Sequence, residues 1–158
     1  MKQKRIHKNY LLLKNWWEAL ALTNYEKSLF NKEIIFFNQQ LIRLKERKIT
    51  IGIYGRSGVG KSYILNLLLE KNLFKTGIIN GSTKEIRGEE LSLNHPLLKS
   101  IELIDSPGFD FCNINFSENK YMRINNSELI LFTLAGDLNR NELDKINSFI
   151  KNGKKIVI

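Results

Sequence analysis

Apolar positions change their period along the chain, and the change divides it. From Lys48 onward, Ile49, Ile51 and Ile53 alternate with other residues and lead through Tyr54 into Gly55, Gly58 and Gly60. A period of two that ends in glycines predicts a buried strand followed by a turn. Further strands are predicted at Ser100–Ile104, at Glu128–Leu134 and from Lys155, with Ile86–Leu93 as one more beside the Ser100 strand. Helical segments fall between them, at Lys61–Glu70 and Asn139–Asn152. Asn139 with Glu142 makes a cap-like start to the second of these, and Gly153 suits its stop. Strands alternating with helices argue an α/β domain, doubly wound around a mostly parallel sheet.

Before Lys48 the pattern is helical. A first helix is predicted over Tyr10–Leu22, with Leu12, Trp16, Ala19 and Leu20 near one face. Thr23 and Glu26 then match a capping box, in which a hydroxyl and a carboxylate satisfy orphan backbone donors at a helix start. A second helix is predicted over Asn24–Arg47, where Phe30, Ile34, Phe37, Leu41 and Leu44 form one apolar stripe. That stripe is expected to pack on the domain that follows, with self-association or a partner helix as the other uses. The chain therefore reads as an N-terminal helical pair at residues 1–47 and an α/β domain at 48–158.

Charge sharpens this division. The 158 residues carry 25 Lys+Arg against 16 Asp+Glu, a net charge of +9. Residues 1–48 alone hold 11 Lys+Arg and 4 Asp+Glu, so the basic character belongs to the lead-in. Basic helices with Trp16 and Trp17 suit an anionic membrane surface or RNA. Hydrophobic residues at 42% exclude wholesale disorder. The single Cys112 cannot form an internal disulfide, which fits a reducing compartment. His7 and His95 have no ligand-spaced neighbours. Lys14, Asn15 and Glu18 interrupt the N-terminal apolar run, which argues against a signal peptide. Leu129–Ala135 falls far short of the ~20 residues a membrane span needs, so a soluble or peripheral cytoplasmic chain is expected.

Candidate chemistry begins at Gly55-Arg56-Ser57-Gly58-Val59-Gly60-Lys61-Ser62, which fits G-x-x-x-x-G-K-[ST] in full between a strand and an apolar helix. The glycines let the backbone curl until its N–H groups face phosphate oxygens. The helix N-terminus adds positive potential. Lys61 supplies a point charge to the β- and γ-phosphates, and the Ser62 hydroxyl is a Mg²⁺ ligand. The second half is Asp105-Ser106-Pro107-Gly108, at the end of the Ser100–Ile104 strand. Asp105 is placed to hold Mg²⁺ through water, and the Gly108 N–H to sense a γ-phosphate. In the loop between, Thr83 is the candidate third metal-site residue, through its hydroxyl, with Ser82 as its rival; both also suit an ordinary polar turn. Phe109, Phe111 and Phe116 are expected to be core, or else an effector-facing patch.

This order of parts resembles the translation-factor-related, Era-like class of P-loop GTPases over about Lys48–Ile158. The helical lead-in and the stretch Leu129–Leu138, followed by Asn139-Arg140-Asn141-Glu142-Leu143, resemble a narrower group common in photosynthetic bacteria. In that group the GTPase domain is often followed by a membrane-associated helical region. The resemblance implies GTP and Mg²⁺ as cofactors and a location in cytoplasm or plastid stroma, with peripheral membrane attachment open. Two features depart from the class. No Asn/Thr-Lys-x-Asp guanine-reading motif is present, since Lys155–Ile158 only begins the strand before it. Where many GTPases place a water-orienting Gln stands Phe109, and Gly58 has no side chain for a monovalent cation.

The expected function is a GTP-binding molecular switch with slow Mg²⁺-dependent GTP hydrolysis, helped by an activating partner or a homodimer. Lys61 and backbone donors would carry the catalytic electrostatics, with no general base assigned. A vestigial interaction module, whose basic helices bind RNA, the ribosome or anionic lipid, is one rival, and an ATP-specific P-loop protein is another. At ~30 residues per βαβ unit, a six-stranded domain needs on the order of 160 residues. The stretch 48–158 is therefore expected to be incomplete at its C-terminal side, with an unpaired edge and marginal stability alone.

Overall fold

The computed structural model of the chain describes residues 2–74, 76, 86–111 and 123–158. Two compact units emerge, Met1–Lys48 with Ser92–Ser100, and Ile49–Leu91 with Ile101–Ile158. The first unit thus takes in a stretch around residue 96 that the hydrophobic pattern does not assign to the lead-in.

The second unit is a five-stranded sheet in the order β2-β3-β1-β4-β5. Its strands are β1 (Lys48–Gly55), β2 (Arg87–Ser92), β3 (Ser100–Asp105), β4 (Leu129–Thr133) and β5 (Lys155–Val157). β1 pairs in parallel with β4, Ile51 opposite Leu129, and β4 in parallel with β5. Helix α4 (Lys61–Leu69) follows β1, and α5 (Arg140–Lys151) joins β4 to β5. Alternation along each strand sends successive side chains to opposite faces. On one face Ile53 of β1 and Leu103 of β3 meet Leu65 and Leu69 of α4 and Phe74. On the other, Tyr54, Ile104, Ile130 and Phe132 meet Ile146 and Phe149 of α5. Apolar residues on both faces need a helix layer on each side, the doubly wound arrangement that the alternation predicts. The predicted strands and helices of this unit all form, with ends within about two residues of expectation.

In the first unit, α1 spans Lys2–Ala19, α2 Asn24–Leu29 and α3 Asn31–Glu46. α1 therefore starts and ends earlier than the predicted Tyr10–Leu22. The single helix predicted over Asn24–Arg47 is two, because Phe30 leaves helical geometry at φ −102°, ψ 24°. Of the predicted stripe, Ile34, Phe37, Leu41 and Leu44 are half-buried, while Phe30 is 51% exposed. Phe37 is met by Trp17 at 4.5 Å and by Trp16 at 5.9 Å between ring centroids. The half-buried face of α1 is Ile6, Tyr10 and Trp17, while Leu12 and Trp16 are 58% and 55% exposed. Leu12, Trp16 and Leu20 are thus exposed, with only an edge of Trp16 meeting Phe37. α3 stops at Arg47, whose backbone is left-handed and whose guanidinium donates to the Pro96 carbonyl. No helix among the described residues is long and apolar enough to cross a membrane.

Candidate functional site

The site gathers at the C-terminal ends of β1 and β3, where open α/β sheets hold their ligands. β1 ends at Gly55, and the loop 56–60 delivers the chain into α4. Gly60 caps that helix in a left-handed conformation, φ 85°, which a side chain would strain. Lys61 and Ser62, the first residues of α4, are buried. Lys61 Nζ donates to the Arg56 carbonyl at 2.6 Å, so the ammonium lies folded over its own loop. The buried hydroxyl of Ser62 donates to Asp105 Oδ2 at 2.6 Å. This bond joins the two halves of the motif across 43 residues of sequence.

Two anchors fix the Asp105 turn. The fully buried Ser106 hydroxyl donates to the Ile53 carbonyl of β1 at 2.7 Å. Gly108 lies so close to the phosphate loop that a Cβ there would come within 2.3 Å of the Ser57 nitrogen, so only glycine fits. Beyond it a short 3₁₀ turn spans Phe109–Phe111. Phe109 stacks on Tyr54 with centroids 5.4 Å apart and planes 9° from parallel, which makes it a packing residue. It also lines a cavity of about 250 Å³ between Tyr54 and α5. Phe116, Thr83 and Ser82 lie outside the described residues.

Three further contacts, none of them named from the sequence, hold the loop in place. Arg56 Nε donates to Glu142 Oε1 at 2.7 Å, and the Glu142 side chain is fully buried. The other carboxylate oxygen of Glu142 accepts the Asn139 N–H, so the capping box of α5 also holds the phosphate loop. The Thr133 hydroxyl of β4 bonds the Tyr54 carbonyl just before the loop. Finally, the Ser57 N–H donates to Asp110 Oδ1 at 2.7 Å. The proximity of Asp110 to Gly108 in sequence offers a hint of this last contact. The Arg56–Glu142 pair spans 86 residues and offers none.

The donor set fits Mg²⁺. Ser62 and Asp105 present two hard oxygens at one helix start, and among the described residues no cluster of three or more His, Cys, Asp or Glu forms a complete cage. Mg²⁺ typically takes one or two protein oxygens and completes its shell with phosphate and water.

A doubly wound sheet with a glycine loop, a buried Lys-Ser pair and an Asp on the adjacent strand defines a P-loop nucleotide-binding protein. Residues 50–158 match the 50S ribosome-binding GTPase family, and the chain belongs to that family. It is 28% identical over 147 residues to the tRNA modification GTPase MnmE of Mycoplasma genitalium, covering 89% of this chain and 32% of that protein. It is 35% identical over 97 residues to the small ribosomal subunit biogenesis GTPase RsgA of Clostridium acetobutylicum, covering 60% of this chain and 32% of that protein. The chain therefore spans about a third of the length of these curated relatives. A crystal structure of an Aquifex aeolicus Era variant bound to GDP·AlF4⁻ superposes with a TM-score of 0.60 at 21% identity, over 70% of this chain and 39% of that one. That likeness establishes the shared fold.

Proposed function

We propose that the chain is the nucleotide-binding part of a GTP-dependent molecular switch with slow Mg²⁺-dependent GTP hydrolysis. The observation that carries this reading is the Ser62–Asp105 hydrogen bond of 2.6 Å, which brings the phosphate loop and the Asp-x-x-Gly turn into one site. Family membership supports guanine over adenine. Lys61, swung from the Arg56 carbonyl, would place its charge on the β- and γ-phosphates, as catalytic electrostatics. Backbone N–H groups of Gly55, Arg56, Ser57, Gly58, Val59 and Gly60 form the phosphate cradle. Ser62 and Asp105, with Thr83, would hold Mg²⁺, which neutralises phosphate charge when bound. The Gly108 N–H would report the γ-phosphate.

Slow turnover follows from Phe109. Its ring is committed to Tyr54 and has no group to orient water. An activating partner or a second copy would then supply what this position lacks. The lead-in and the Leu129–Leu143 stretch support placing the protein near the group found in photosynthetic bacteria, in cytoplasm or plastid stroma. The outward row Leu12, Trp16 and Leu20 on a basic segment favours an anionic lipid surface over RNA for residues 1–47.

Titration with fluorescent GTP and ATP analogues in the presence of Mg²⁺ tests the reading. GTP analogues should bind and Lys61→Ala should abolish the signal. Equal affinity for both bases, or binding that survives Lys61→Ala, would sink it.

A further inference from the structure

We infer that Asp110 sets the preference of this site between nucleoside di- and triphosphate, by holding a carboxylate where the γ-phosphate must arrive. The inference rests on the nucleotide-binding reading above and adds a residue to it. Ser57 lies within the phosphate loop, and its backbone N–H donates to an Asp110 carboxylate oxygen at 2.7 Å. An anionic oxygen on such a donor is what a phosphate oxygen would otherwise be. The place along the loop is fixed by Gly108, where a Cβ would collide with the Ser57 backbone and with Asp110 Oδ1. Gly108 is the turn assigned to the γ-phosphate, so the carboxylate sits at the γ end and away from the helix start that takes the β-phosphate.

Local structure explains why Asp110 faces the loop. The 3₁₀ turn from Phe109 to Phe111 directs consecutive side chains differently. Phe109 points into the core and stacks on Tyr54, and this leaves Asp110 toward Ser57. A diphosphate stops short of this point. A triphosphate brings its most highly charged group against a like charge and must displace the carboxylate from the N–H. Displacement would move the Asp-x-x-Gly turn, so the same residue ties nucleotide state to the position of that turn. Asp110 is exposed, so the penalty is moderated by solvent and should be on the order of tenfold in affinity.

The test compares the full chain with Asp110→Asn and Asp110→Ala, each titrated with fluorescent GDP and a non-hydrolysable GTP analogue with Mg²⁺, at low and high salt. Asn keeps an acceptor for Ser57 and removes the charge, while Ala removes both. Asp110→Asn should raise triphosphate affinity about tenfold at low salt and leave diphosphate affinity unchanged, and the difference should shrink as salt screens the wild-type charge. Ala should do at least as much. An unchanged ratio of the two affinities, or a parallel change in both, would overturn the inference while leaving nucleotide binding in place. Loss of binding to both nucleotides in the wild-type chain would instead overturn the nucleotide reading, and this inference with it.

Discussion

Glu142 shows how much one side chain can carry. One oxygen closes the capping box of α5 and the other holds Arg56, whose carbonyl in turn receives Lys61 Nζ. Glu142→Gln keeps an acceptor for the Asn139 N–H and loses the charge opposite Arg56, at a cost of about 1–2 kcal/mol. Glu142→Ala loses both the cap and the ion pair and should cost about 2–3 kcal/mol, moderated because the Arg56 guanidinium is partly exposed and regains water. Urea denaturation checks both figures, and nucleotide affinity should fall in the same order. A Glu142→Ala protein as stable as the wild type would contradict the double role. The phosphate loop was legible because its chemistry is contiguous, from Gly55 to Ser62. Asp105 was legible because a strand ends on it. The Arg56–Glu142 pair was not, because only the folded sheet brings β1's loop to the start of α5.

Secondary-structure elements follow the same logic with more local causes. The Thr23–Glu26 box forms as its spacing predicts, with the Thr23 N–H and hydroxyl both donating to Glu26. Hydrogen bonds from the Thr23 backbone and hydroxyl hold the Glu26 carboxyl below the ordinary carboxylate range. Its folded value lies below its unfolded one. Its contribution is therefore complete above the unfolded value and is lost as pH falls through the folded one. Helicity of α2 should accordingly fray on acidification, and Thr23→Ala, which removes the hydroxyl but keeps the backbone N–H, should weaken that pH dependence without abolishing it and cost about 1 kcal/mol of capping. Amide exchange on residues 24–29, followed against pH, reads this directly. The break at Phe30 escaped the pattern because one residue off helical geometry leaves the apolar spacing beyond it intact. The outward row of α1 was equally ambiguous. Rows through Trp16 and Trp17 both fit the helical period and both touch Phe37, Trp17 more closely, and Trp16 is left 55% exposed.

Across the whole molecule, period and charge change near Lys48, whereas the compact units are Met1–Lys48 with Ser92–Ser100, and Ile49–Leu91 with Ile101–Ile158. The place of Ser92–Ser100 was illegible because its reason is tertiary: the Lys99 N–H and the Pro96 carbonyl bond to Arg47. The order of strands and helices after Lys48 announced a doubly wound sheet, and the apolar contacts on both of its faces bear it out. The lead-in's proposed surface is tested on the full chain by sedimentation with vesicles. Vesicles containing anionic lipid should carry the protein down, phosphatidylcholine alone should not, and salt should weaken the binding. Trp16→Ser should reduce it severalfold without altering nucleotide affinity. Equal binding to neutral vesicles, or none to either, would rule the surface out.

The clamp at Glu142 has a thermodynamic corollary. α5 begins where the phosphate loop is gripped, so the two cannot change state independently. Nucleotide that holds the loop in this conformation would also favour the capped start of α5. By reciprocity, anything that grasps the first turn of α5 in that state must tighten nucleotide by the same factor. A regulator of this protein need never approach the phosphates; the first turn of α5 is handle enough.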